Sequence, residues 1–107
     1  MTRLEVLIAA RALIATPERW TTKYEARDAN GLSTGARDPD AVCWCAAGAI
    51  ERVVGTASGQ PFLSAWWAFE RATGCMGEGV DFNDANTHAE VISAFDRAIA
   101  LDAARAS

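Results

Sequence analysis

The chain has 107 residues, half of them hydrophobic and 22% charged, with net charge −4. That is one ordinary globular domain spanning residues 1–107, too short for two and too apolar for disorder. A domain of this size buries roughly two thirds of its unfolded surface, so it can fold without a metal or a disulfide. The charge is uneven: residues 1–37 carry a balance of +2 and residues 38–107 a balance of −6. The acidic C-terminal part repels phosphate backbones, so no nucleic-acid partner is expected.

Leu4, Leu7, Ile8, Arg11 and Ile14 recur near the helical period and predict an amphipathic helix over residues 2–15. Glu5 and Arg11 interrupt its apolar run, which argues against a signal peptide. No stretch is apolar enough to cross a membrane, so no membrane association is expected. Thr16-Pro17 closes the helix, with Thr16 placed to cap a short turn. From Trp20 to Gly35 the pattern alternates, Tyr24, Ala26 and Asp28 against Lys23, Glu25 and Arg27, and Asn30-Gly31 is a turn signal. A short β-hairpin or an extended loop after the first helix is expected here, lying on helices because a lone hairpin is marginal.

Asp38-Pro39-Asp40 reads as a helix start, Asp38 as cap and Pro39 in the first turn, with the helix running to Val54 and Gly55 ending it. Residues 56–60 form a loop. Pro61 to Thr73 predicts a third helix, with Phe62, Trp66 and Phe69 on one stripe and Gly74 as its stop. Residues 74–86 hold three glycines and three carboxylates and read as a long loop. Thr87-His88-Ala89-Glu90 is a capping box opening the last helix, whose core stripe is Val91 or Ile92, Phe95, Ala98 and Ile99. The expected fold is therefore mainly α: a compact single domain of about four helices.

Three cysteines are an odd count, simplest in a reducing cytoplasm. On a regular helix Cys43 and Cys45 point about 200° apart and cannot share a metal, and Cys75 and His88 are the only other soft ligands; no metal and no cofactor is expected. Gly48 inside a helix costs roughly 1 kcal/mol relative to Ala, which suggests a close helix contact. The carboxylates around Asp81 fail the calcium-loop pattern, since Ala85, Asn86 and Ile92 fall where ligands or Gly are needed. Asn83 and Asp84 are read first as turn residues taking backbone amides ahead of the last helix. Trp66 and Trp67 are adjacent and cannot share one narrow face, so one is exposed or at a subunit boundary, which allows a homodimer.

Cys45-x-x-Gly48-Ala49-Ile50, then Phe82-Asn83-Asp84, then Thr87-x-x-Glu90-Val91 resembles an uncharacterised family of small bacterial and phage proteins. Its members read Cys-x-x-Gly-Ala-Ile/Leu, Trp-Asn-Asp and Arg-Thr-x-x-Glu-Val, and Trp20 matches an aromatic they share. Here Phe82 stands for the usual Trp, and Asn86 for the usual Arg. The resemblance implies a cytoplasmic domain and no particular chemistry.

No catalytic residues are assigned. Three functions remain open. The first is a cytoplasmic, non-enzymatic binding module with a protein or small-molecule partner. The second is a small thiol-dependent enzyme, pairing Cys43, Cys45 or Cys75 with His88. The third is a small-molecule pocket between the Gly48 helix and the Asn83-Asp84 loop, walled by Trp20. The candidate ligand-binding residues are Trp20, Cys45, Asn83, Asp84, Thr87 and His88.

Overall fold

The computed structural model describes residues 1–106. Among them are five α-helices, a 3-10 turn and a three-stranded antiparallel sheet, in a mainly helical body of about 43 × 26 × 23 Å. Helix α1 is Arg3–Leu13. Thr2 caps it: its hydroxyl accepts from the Glu5 amide, and the Glu5 carboxylate takes the Thr2 amide in return. The buried stripe is Val6, Leu7, Ala10 and Ile14, rotated from the expected one, so Ile8 faces solvent. The 3-10 turn Pro17–Arg19 follows, as Pro17 suggested, although the Thr16 side chain caps nothing.

Strands β1 (Ala26–Asp28) and β2 (Ser33–Thr34) form the anticipated hairpin. Its organiser is Asp28, whose carboxylate accepts the amides of Asn30 and Leu32. The sheet has a third member that the sequence reading placed inside a helix. Ala41–Trp44 is strand β3, and it pairs with the other side of β1. Asp38 caps no helix. Its carboxylate accepts the Asp40 amide and its carbonyl the Ala41 amide, so Asp-Pro-Asp makes a turn that feeds the strand. The Asp40 amide, and after it the Thr34 hydroxyl, favour the charged form and hold the Asp38 carboxyl below its ordinary value.

Helix α2 therefore starts late and runs Ala46–Val54, with Cys45 as its N-cap. Helix α3 is Gln60–Thr73. Both α2 and α3 end on left-handed glycines, Gly55 and Gly74, as expected. The presumed loop after Gly74 contains helix α4, Gly79–Ala85. Glu70 of α3, itself buried, accepts the Gly79 amide and satisfies the start of α4. Gly79 lies on the Trp66 indole: a Cβ there would come within 2.5 Å of the ring. Helix α5, His88–Ala106, closes the fold. Thr87 caps it by accepting the Glu90 amide.

The core lies where α1, α2, α3 and α5 meet. Phe69 is its centre, tilted against Phe95 at 4.7 Å, stacked on Trp66 at 5.5 Å and edge-on to Phe82 of α4 at 6.2 Å. Trp66 packs against the core, whereas Trp67 is 44% exposed, as the adjacent pair required. No described helix is long and apolar enough to cross a membrane.

Candidate functional site

The sequence candidates converge on Asn83, which is 1% exposed. Its Oδ1 accepts the Trp20 indole N–H at 2.8 Å and the Ala46 amide at 3.0 Å. Its Nδ2 donates to the Thr21 carbonyl at 3.1 Å and to Asp84 at 3.3 Å. One carboxamide thus joins the segment after the 3-10 turn, the start of α2 and the end of α4. It fits because it donates and accepts at once, and both capacities are used.

Asp84 completes the connection. Its Oδ1 also accepts the Lys23 amide at 2.8 Å. Lys23 has φ 74°, the left-handed region, which a residue with a Cβ rarely enters. The next residue but one, Glu25, places its carbonyl over α2: it accepts the Cys45 amide at 3.1 Å, and a Cβ on Gly48 would stand 1.9 Å from it. The close approach expected at Gly48 is real, but its partner is the backbone before β1 rather than another helix.

Cys43 and Cys45 are not on one helix. Cys43 lies in β3, pairing opposite Arg27. Cys45 is buried, and its Sγ accepts the Gly48 amide at 3.3 Å. Burial pushes the Cys45 thiol up, the Gly48 and Ala47 amides pull the other way, and the Asp84 and Glu25 carboxylates push it further up. The thiol form is therefore held at neutral pH.

His88 packs against Trp20 with ring centroids 5.8 Å apart. Its Nε2 lies 2.7 Å from the Ile14 carbonyl, which can only accept, so the imidazole donates there. Thr87 is exposed and spends its hydroxyl on the cap of α5. Trp20, Asn83, Asp84 and His88 thus form one connected group, Cys45 lies next to it through Ala46, and Thr87 sits at its edge.

The free surface is in front of that group. An open groove of about 240 Å³ runs between the Lys23–Glu25 segment, the start of α2 and α4. Tyr24 and Val80 both line it and are about half exposed, 49% and 54%. Lys23, Glu25, Cys45, Ala47 and Asp84 line the rest; the Glu25 carboxylate itself accepts the Ala36 amide at 3.2 Å. Neither Tyr24 nor Val80 stands out in the sequence; the alternation around Tyr24 was the only signal. A second carboxyl lies near Glu25. Glu51 of α2 is buried, lies beside Glu25 and pairs with Arg37 at 3.2 Å. Burial, then the Glu25 carboxylate, raise the Glu51 pKa against the pull of Arg37. No three His, Cys, Asp or Glu side chains among the described residues come together as a metal-binding group.

The profile of a family of unknown function, DUF6197, matches residues 1–101, and the chain belongs to that family. No curated protein and no solved structure matches the chain.

Proposed function

We propose that this member of DUF6197 is a non-enzymatic binding module whose ligand sits in the groove between Tyr24 and Val80. The observation that carries the reading is Lys23, held in the left-handed region by Asp84. A non-glycine residue in that region costs on the order of 1 kcal/mol or more, and such strain is retained where the surrounding structure fixes a functional surface. Here the Asn83–Asp84 pair fixes the wall of the groove. The ligand that fits presents an apolar group to Tyr24 and Val80 and a hydrogen-bond donor to the exposed Asp84, as a small amine or a basic side chain of a partner protein does.

Binding rather than catalysis is favoured because the reactive groups are occupied. The Cys45 thiol caps a helix and is pushed up by burial, and the His88 Nε2 is committed to Ile14. The test is an amide NMR titration of the labelled protein with N-acetyl-Leu-Lys-amide and N-acetyl-Leu-Glu-amide. The lysine peptide should shift resonances of Lys23–Glu25, Ala47, Val80 and Asp84 more than the glutamate peptide does, and Val80→Arg should abolish the response. Shifts elsewhere, or equal shifts with both peptides, would overturn the assignment.

A further inference from the structure

A second surface, away from the groove, lies where α1, α3 and α5 meet. Arg3 binds the Asp102 carboxylate through Nε and Nη2 and reaches the Ser64 hydroxyl at 3.4 Å. Arg71 and Arg105 line the same shallow groove, with Ala68, Ala98 and Leu101 as its apolar walls. Arg71 and Arg105 are exposed, and among the described residues neither guanidinium makes an ion pair or hydrogen bond. Asp102 is the one acid on this groove, and Arg3 already neutralises it. Trp67, 44% exposed, stands three residues after Ser64 and four before Arg71, hence beside both on the surface of α3. Leu101, 55% exposed, is likewise one turn before Arg105 on α5.

We infer that this face docks an acidic segment of a partner protein that carries a large apolar side chain. Two features decide the class. The two guanidinia are uncompensated in a chain of net charge −4, so the patch is positive against an acidic background and selects a negative partner. The apolar floor, with Trp67 and Leu101 at its border, gives a free phosphate nothing to bind. Exposed Trp and Arg flanking a small-residue floor is the composition in which binding energy concentrates at protein interfaces. A nucleic acid would meet the same arginines but also the field of the acidic remainder.

The test uses the full chain and three probes: an amphipathic helical peptide of Glu and Leu, a peptide of equal charge with Ser in place of Leu, and a duplex DNA of similar charge. The Glu–Leu peptide should shift the Trp67 indole and Leu101 methyl resonances and weaken as salt rises. Its affinity should fall about tenfold or more in the variant R71E/R105E and in W67A. Both variants should still melt cooperatively, with a modest fall in midpoint, because Trp67 is partly covered and Arg71 and Arg105 sit in the last turns of α3 and α5. Equal binding of the Ser peptide would make the site a plain anion patch and overturn the inference. So would tighter binding of DNA, absence of Glu–Leu binding, or self-association of the protein that R71E/R105E abolishes.

Discussion

The Asn83 carboxamide accepts the Trp20 indole N–H and, on the same oxygen, the first amide of α2, at 2.8 and 3.0 Å. The relationship ties the aromatic that precedes the sheet to the helix that follows it. Asn83→Ala leaves the buried Ala46 amide and the part-buried Trp20 indole without an acceptor, the first costing on the order of 1–3 kcal/mol. Urea denaturation should therefore show a large fall in midpoint. A midpoint within error of the wild type would mean that water replaces the carboxamide at no cost.

Gly48→Ala should destabilise strongly, although Ala is the better helix former. The added methyl meets the Glu25 carbonyl, a backbone atom held by the Cys45 amide, and cannot be accommodated without moving the chain. Overpacking of this kind costs typically 1–3 kcal/mol. Gly48→Leu should be worse. An unchanged denaturation midpoint for Gly48→Ala would show that the segment before β1 yields freely.

Asp84→Ala removes the acceptor of the Lys23 amide at an exposed position. The stability cost should be about 1 kcal/mol, as for a lost cap. The Lys23 resonances should move away from left-handed values while the α5 resonances stay. Persistence of the Lys23 conformation would show that Asp84 does not hold it.

Glu51 gives the pH dependence a definite sign. Its folded pKa lies above the ordinary 4.5, mainly through burial and then through Glu25. Between the unfolded and folded values the native state holds more protons, so this group's contribution is full below 4.5 and is lost as pH rises through the folded pKa. Glu51→Gln should flatten the fall in stability above pH 4.5. A wild-type stability that rises over that window, with the rise abolished in the variant, would reverse the assignment.

Cys45 should label slowly with a thiol reagent at neutral pH, and His88→Ala should not change its rate. Fast labelling of Cys45 at pH 6, slowed by His88→Ala, would instead restore the thiol-enzyme alternative. Mass spectrometry of the labelled peptides distinguishes Cys45 from the half-buried Cys43 and Cys75.

The helical core was legible because its signals are local: Phe62, Trp66 and Phe69 recur at the helical period, and Gly55 and Gly74 stop their helices. Strand β3 was not. Asp38-Pro39-Asp40 suits a helix start and a turn equally, and the apolar run from Ala41 to Ile50 has no period that separates strand from helix. Only pairing with β1 decides it. Helix α4 depends on Glu70 accepting the Gly79 amide and on Trp66 receiving Gly79, both supplied by α3. At the site, Asn83 and Asp84 were expected to take amides in the turn before the last helix, but they sit in α4 and take them from other segments. Their partners, Ala46 and Lys23, lie far off in sequence and gave no sign. Tyr24 and Val80 line one groove only once that connection is made.

The claim at the centre is that Asn83 holds the Trp20–Glu25 segment against α2 and so builds the groove. Hydrogen exchange of the Trp20 indole measures this directly. In the wild type the indole proton should be strongly protected. In Asn83→Ala it should exchange far faster while the amides of α5 around Phe95 stay protected. An indole that exchanges at the free rate in the wild type, or one equally protected in the variant, would contradict the account.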